Sequence, residues 1–378
     1  MINRLLVANR GEIARRVFHT CRELGVETVA VCSDPDAAAP HVTEADVAVR
    51  LPGAALRETY LRGDLLAEAA RAAGADAVHP GYGFLSENAE FAQTVLDAGL
   101  TWVGPPPKAI ESMGSKLEAK RLLADAGVPV LSSLDPASVT EADLPVLIKA
   151  SAGGGGRGMR VARSLSELPG QVEAARAEAA SAFGDDTVFC ESYLPAGRHI
   201  EVQVLADEHG TVWTLPEREC SIQRRHQKVI EESPSPLVER VNGMREQLCD
   251  AARAAAEAIG YLGAGTVEFL AESVGGSAGG EAPRVRFFFL EMNTRLQVEH
   301  PVTECVTGVD LVAWQLRIAE GAPLPPHPPA PSGHAIEARL YAETVTVEAG
   351  QARWAPQVGT LERFAVPGVS VEFGIPAA

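Results

Sequence analysis

The sequence predicts an α/β protein in which a parallel N-terminal layer gives way to antiparallel sheet. Three observations predict it. Strands and amphipathic helices alternate from Arg4 to Val103, the pattern of a parallel sheet covered by helices. The run Gly104-Pro105-Pro106-Pro107 then breaks that alternation. Beyond it, strands follow one another with few helices between them, as antiparallel pairing allows. A chain of 378 residues has room for two or three domains at roughly 100–200 residues each.

The elements follow in order. Arg4–Asn9 reads as a buried strand, and Gly11–Leu24 as a helix with Ile13, Val17, Cys21 and Leu24 at helical spacing. Glu27–Cys32 is the next strand. Helix Gly63–Ala73, strand Ala75–His79, helix Glu87–Ala98 and strand Leu100–Val103 complete the first unit, assigned to 1–110. Ser115–Ala126 reads as a linker helix. Strand Pro145–Ala150, a glycine loop, strand Met159–Ala162, helix Ser166–Ala180 and strand Thr187–Glu191 form a small α+β unit. Strands His199–Leu205 and Thr211–Glu219 precede a long helix, Val238–Ile259. Gly265–Ala271 and Arg284–Met292 flank the Gly/Ser-rich Ser273–Ala282 and read as a hairpin. Val309–Glu320 is helical, Pro323–Pro331 a proline-rich connector, and His334–Ala342 a further strand.

Composition excludes some functions. Acidic residues outnumber basic ones 50 to 33, a net charge of −17, which argues against a general nucleic-acid binder. No apolar run is long enough to span a bilayer. The opening Ile2–Val7 lacks signal-peptide order, so the expected location is the cytoplasm. Six cysteines are scattered without Cys-x-x-Cys or zinc spacing and read as reduced thiols. Lysine is scarce: Lys108, Lys116, Lys120, Lys149 and Lys228 stand against 28 arginines. A lysine that persists in such a background marks a place for a compact ammonium.

Five strings carry candidate chemistry. Lys149 precedes Gly153–Gly158, where backbone N–H groups can approach phosphates unhindered by Cβ. A mobile surface loop would read the same way, and no P-loop Lys-Ser/Thr closes the string. Glu268 and Glu291 meet on one face if their strands pair, and period two puts Asn293 and Arg295 with Glu291 while the strand stays regular. Such oxygen ligands suit Mg²⁺ shared with nucleotide phosphates, although a polar outer hairpin face is the bland alternative. Arg295, Gln297, Val298 and Glu299 place a planar cation, an amide and a candidate base within five residues. An internal ion pair would look alike. Gln223–Lys228 is either a solvated basic face or an anion-facing one. His79–Phe84 fits a ligand-facing loop at the end of a parallel strand.

Taken together, Ala8–Ala14, His79–Asn88, Lys149–Met159, Glu219–Glu231 and Glu291–Glu304 resemble biotin carboxylase, an ATP-grasp ligase. The resemblance spans nearly the first 340 residues, and Arg295-Leu296-Gln297-Val298-Glu299-His300-Pro301 is its most specific string. It implies an N-terminal Rossmann-like domain at 1–110, an ATP-grasp domain at 115–315 with a mobile lid near 125–193, and a partial C-terminal domain at 333–378. It implies ATP, Mg²⁺ (or Mn²⁺) and biotin supplied on a separate carrier, since no Met-Lys-Met site is present. The expected reaction is phosphorylation of bicarbonate to carboxyphosphate, followed by carboxylation of biotin N1′. Lys116, Lys149, Gly154, Gly155, Gly156 and Gly158 would hold phosphates. Glu191 and Leu194 would line the adenine pocket, with His199, Gln223 and His226 along the rest of the nucleotide. Glu268, Glu291 and Asn293 would place the metal. Lys228, Arg295, Gln297, Val298 and Glu299 would surround bicarbonate, with Glu299 as base, and Arg339 would stabilise the biotin enolate.

The implied partners are a biotin carboxyl carrier protein or domain, a carboxyltransferase subunit and a second copy of the chain. Ser192, the Ser273–Ala282 loop and Thr344-Val345 depart from the family pattern. The family continues several tens of residues past the position of Ala378, so exposed apolar surface and reduced activity of this chain alone are expected. Another ATP-grasp carboxylate–amine ligase and a non-catalytic nucleotide-binding remnant are the competing readings.

Overall fold

The computed structural model describes residues 1–153, 159–274, 284–348, 351–357 and 359. Gly154, Gly155, Gly156, Gly158, most of the Ser273–Ala282 loop and most of the chain past 357 lie outside the described residues.

The first unit contains β1 (Arg4–Val7), α1 (Gly11–Leu24), β2 (Glu27–Cys32), α2 (Pro40–Glu44), β3 (Val47–Arg50), α3 (Gly63–Ala72), β4 (Ala77–His79), α4 (Ala89–Asp97) and β5 (Thr101–Trp102). The strands form one parallel sheet in the order β3-β2-β1-β4-β5. β1 and β4 are buried almost throughout, as a sheet covered on both faces demands. Helix α1 ends at Gly25, whose φ of 73° supplies the left-handed cap that L-residues avoid. α2 and β3 went unread in the sequence. The alternating half-buried Val47-Ala48-Val49-Arg50 has the period of an edge strand but is only four residues long.

The expected linker helix Ser115–Ala126 is present as α6 (Lys116–Asp125), and a helix the sequence reading did not include, α5 (Pro107–Gly114), precedes it. Ser115 separates them, and its hydroxyl caps α6 by accepting from the Glu118 N–H. β6 (Val146–Ala150), β7 (Arg160–Ala162), α7 (Leu168–Phe183) and β8 (Val188–Ser192) follow, with an antiparallel sheet ordered β7-β6-β8.

The central sheet comes next in sequence: β9 (Arg198–Ala206), β10 (Val212–Thr214), β11 (Arg218–Arg224), β12 (Gln227–Ser233), then α8 (Met244–Ala258), β13 (Gly263–Val274) and β14 (Arg284–Asn293). α9 (His300–Thr307), α10 (Leu311–Ala319), β15 (Ala335–Ala338), β16 (Glu343–Glu348) and β17 (Gln351–Pro356) are the remaining elements among the described residues. Its order is β14-β13-β9-β11-β12-β15, with β10 on β9. The expected strand Thr211–Glu219 is broken between Leu215 and Glu217, so its two pieces pair with different stretches of β9. The expected helix Val238–Ile259 is a short 3-10 turn at Val238–Arg240 followed by α8, because Gly243 at φ 76° interrupts it.

One apolar core joins the parallel unit to the central sheet. Leu5, Val7, Val17 and Phe18 pack with Leu205, Trp213, Leu296 and Leu316. The opposite face of β9, Ile200, Val202 and Val204, packs against α8. His199, Glu201 and Gln203 therefore line the remaining face of β9 by period-two alternation. That polar face is the floor of the site.

Candidate active site on the central sheet

Strand pairing assembles the floor. Glu201 of β9 is in register with Glu268 of β13, and Glu268 with Glu291 of β14. The neighbouring row is Gln203, Thr266 and Asn293. Glu268 and Glu291 thus meet across adjacent strands as the sequence led us to expect. A bulge follows Glu268, where the pairing skips Leu290.

Four acidic side chains require cations, and Lys228 supplies the central one. Its Nζ donates to Glu201 Oε2 at 2.5 Å, Glu268 Oε1 at 2.8 Å and Glu299 Oε1 at 2.5 Å. All three N–H donors of an ammonium are used. Burial opposes the lysine's charge, but the three carboxylates outweigh it and raise its pKa well above the ordinary range. Glu268 shows the converse: burial favours its neutral form, yet Lys228 and His199 hold it down at about 2. His199 Nε2 lies 3.0 Å from Glu268 Oε2. Burial disfavours the imidazolium, but Glu268 lifts its pKa to about 9, so it is a cation at neutral pH.

Arg218, fully buried, fixes the geometry from beneath. It donates to Glu201 Oε1 at 2.6 Å, Gln203 Oε1 at 2.9 Å, Thr303 Oγ1 at 2.7 Å, Thr266 Oγ1 at 3.2 Å and Gln297 Oε1 at 2.8 Å. Because the Gln297 oxygen faces Arg218, its amide nitrogen must face outward, where it donates to Glu268 Oε1 at 2.8 Å and to Asn293 Oδ1. Glu201 and Arg218 were missed in the sequence. The alternation of His199, Glu201 and Gln203 with Ile200, Val202 and Val204 was the signal that could have found Glu201.

Glu299 terminates the loop before α9. Lys228 binds one of its oxygens and Arg339 Nη2 the other, at 2.8 Å. Arg295 stands differently from the expectation. β14 ends at Asn293, so period two no longer governs position 295. Its Nε donates to Glu87 Oε2 at 2.8 Å, and the Thr294 N–H donates to Glu87 Oε1 at 3.2 Å. Glu87, from the loop before α4, is a third residue the sequence did not single out. Val298 is half-buried between Gln297 and Glu299.

A second cluster lies at the edge of the three-stranded sheet. Glu191 of β8 is buried and bridges Lys149 Nζ, at 2.7 Å, and Lys120 Nζ. Lys116 Nζ donates to the Gly153 carbonyl, beside the undescribed glycines. Burial lowers the Lys116 pKa while Glu291 opposes that shift, which links this cluster to the Glu291 edge of the floor. Leu194 is half-buried just past β8. Gln223 donates to the Cys220 carbonyl at 2.8 Å and contacts His199 Nδ1 at 3.2 Å. The string Gln223–Lys228 is not a continuous basic face. It is the tip of the β11–β12 hairpin: Arg225 and His226 form the exposed turn, and Lys228 points into the floor.

Glu291 fits a metal. Among the described residues it makes no hydrogen bond or ion pair, and burial and Glu268 raise its pKa. A carboxylate facing a second carboxylate, with no donor of its own, calls for a cation. Glu268, Glu291 and Asn293 offer oxygen donors alone, which suits Mg²⁺.

A parallel N-terminal sheet, a small three-stranded antiparallel sheet and a carboxylate-lined central antiparallel sheet together have the architecture of the ATP-grasp class. Comparisons with known proteins give the family. Residues 1–110 match the model of the biotin carboxylase N-terminal domain, and residues 116–327 that of the carbamoyl-phosphate synthase L chain ATP-binding domain. The chain is 46% identical to a biotin carboxylase of Halalkalibacterium halodurans over 99% of its own length and 82% of that protein's. It is 47% identical to the mitochondrial methylcrotonoyl-CoA carboxylase subunit alpha of Oryza sativa, over 99% of this chain and 51% of that one. A crystal structure of the biotin carboxylase domain dimer of Hydrogenobacter thermophilus 2-oxoglutarate carboxylase, with MgADP, ADP and bicarbonate, superposes with a TM-score of 0.82. It is 42% identical, covering 93% of this chain and 80% of that one. The chain belongs to the biotin carboxylase family. It spans about half the length of the carboxylase alpha subunits it matches. Among the described residues no helix is long and apolar enough to cross a membrane.

Proposed function

We propose that this chain catalyses the ATP- and bicarbonate-dependent carboxylation of biotin presented on a carrier protein or domain, the first half-reaction of an acyl-CoA carboxylase. The observation that carries the reading is the single ammonium of Lys228 joining Glu201, Glu268 and Glu299. It ties the carboxylates suited to a metal to the candidate base.

In this reading 1–110, 115–315 and 333–378 act as separate domains about one cleft. Lys116, Lys149 and Gly154, Gly155, Gly156 and Gly158 bind phosphates. Glu191, Leu194, His199, Gln223 and His226 bind the remainder of ATP. Glu268, Glu291 and Asn293 would hold Mg²⁺ (or Mn²⁺), which neutralises phosphate charge when bound. Arg295, Gln297 and Val298 receive bicarbonate beside Lys228. Glu299 accepts the bicarbonate proton, and the freed oxygen attacks the γ-phosphorus, giving carboxyphosphate and ADP. Carboxyphosphate divides into CO₂ and phosphate. The released phosphate takes the N1′ proton of biotin, Arg339 stabilises the enolate so formed, and N1′ then attacks CO₂. A carrier protein or domain, a carboxyltransferase and a second copy of the chain are the partners, and the cytoplasm is the place.

The test is ATP cleavage with and without bicarbonate and free biotin. We expect bicarbonate-dependent turnover that falls by about 10²-fold or more in Glu299→Gln. Mg-ATP binding in calorimetry without bicarbonate-dependent turnover would replace this reading by a non-catalytic nucleotide-binding role.

A further inference from the structure

The Arg339 guanidinium is gripped from two sides: its Nε donates to Glu231 Oε1 at 2.6 Å and its Nη2 to Glu299 Oε2 at 2.8 Å. Glu231 of β12 is fully buried and lies directly opposite Glu337 of β15 in the antiparallel register. Directly opposed residues share a sheet face, and Arg339, one residue past β15, stays with them because its N–H still donates to the Val229 carbonyl at 2.9 Å. Ile336 and Leu340, 64% and 68% exposed, mark the other face.

Two carboxylates opposed in a ladder repel, and Arg339 takes only one oxygen of the pair. Glu231 Oε2 and Glu337 Oε2 are both buried without a hydrogen-bond partner. One proton on either carboxyl would answer the other's need for a donor and remove the repulsion. We propose that Glu231 and Glu337 are positioning residues that share one proton and thereby hold the Arg339 fork against Glu299. The proposal rests on the roles given above to Arg339 and Glu299.

The charges around the pair support it. Burial, with Glu231 and Glu299, pushes Glu337 up to about 8, against Arg339 on its own side and Arg218 from β11. Burial raises Glu231 as well, opposed by Arg339. α9 packs against β15. Its His300 is held neutral by burial, down at about 3, and its Glu304 is paired with Arg16. Glu12, from the first turn of α1, adds a further carboxylate in the electrostatic range of Arg339. Below about pH 8 the pair carries one negative charge beside Arg339. Above it the second charge competes with Glu299 for the guanidinium.

The experiment follows the Arg339 ¹⁵Nε resonance in the full chain, together with kcat for biotin carboxylation, from about pH 6 to about pH 10. We expect both to change with a common midpoint near pH 8, and Glu337→Gln to abolish that midpoint in both. Glu231→Gln should lower kcat by about tenfold while the KM for ATP stays within about twofold. Profiles of Glu337→Gln that superpose on the wild type overturn the proposal. So does a wild-type resonance without a midpoint between about pH 7 and about pH 9, whether or not either variant folds. If wild-type ATP cleavage ignores bicarbonate, the proposed function falls, and the Arg339 titration still decides whether the proton is shared.

Discussion

At the scale of single residues, the site is a balance of buried charges in which one ammonium, Lys228, serves three carboxylates. Removing Lys228 exposes that balance. Lys228→Met would leave Glu201, Glu268 and Glu299 clustered without their common cation. Breaking a buried ion pair costs roughly 3–5 kcal/mol. We expect a fall in the denaturant midpoint of that order, and a midpoint equal to the wild type's would refute it. Histidines set a pH dependence of definite sign. Burial holds His79 down at about 4 and His300 at about 3, so both fold neutral. The unfolded chain takes up their protons below about pH 6.5, and their contribution is lost as pH falls towards the folded values. Between pH 6.5 and pH 5 each should lose about 2 kcal/mol of stability. His199 runs the other way: lifted to about 9, it stabilises fully below about pH 6.5 and loses its contribution as pH rises through 9. Urea titrations of the wild type and His79→Asn at both acidic pH values check the first claim. An equal loss in the two proteins contradicts it.

At the scale of elements, the β11–β12 hairpin brings Lys228 into the floor through a two-residue turn. Arg225 and His226 sit there at φ 53° and 61°. Consecutive left-handed residues are the signature of a type I′ turn, which favours Asn-Gly. An L-residue held so costs roughly 1–2 kcal/mol. Arg225→Asn with His226→Gly should therefore raise the melting temperature, while the loss of the imidazole weakens ATP binding if His226 contacts the nucleotide. A melting temperature that falls would show that the turn is held by more than backbone preference. The same element shows what a sequence can and cannot disclose. Strongly periodic stretches such as Gly11–Leu24 and Glu27–Cys32 were legible to the residue, because periodicity and a glycine cap agree there. The Glu268–Glu291 meeting was legible because alternation and pairing are both local rules. The condition set for Arg295, a strand that stays regular, is not met, because β14 stops at Asn293 and nothing in an alternating pattern says where a strand stops. α9 was overlooked although Pro301 stands in its first turn, the place where proline favours a helix. Glu201, Arg218 and Glu231 escaped because each matters through partners 15 to 108 positions away in sequence.

At the scale of the whole molecule, the parallel unit and the site are mechanically joined, and beside their shared apolar core Arg16 is the polar joint to α9. It lies buried on α1 and donates to Glu304 of α9 at 2.8 and 2.9 Å and to Asp310 at 3.1 Å. Asp310 also accepts from Thr20 at 2.7 Å and caps α10 through the Ala313 N–H. Glu304 Oε1 accepts the Leu311 N–H at 2.7 Å, so the pair pins α9 to α10 as well as to α1. The first residue before α9 is Glu299, whose two oxygens must meet Lys228 and Arg339 together. A shift of α9 therefore moves the candidate base, whereas the cluster of Lys149, Lys120 and Glu191 belongs to other elements and stays in place. Arg16→Met removes the joint while keeping an apolar stem against the core. We expect a loss of roughly 3–5 kcal/mol in stability. Well below the melting temperature, we also expect kcat for bicarbonate-dependent ATP cleavage to fall by about tenfold or more with little change in the KM for ATP. Equal losses in kcat and ATP affinity would mean that α1 supports the entire cleft and not α9 in particular.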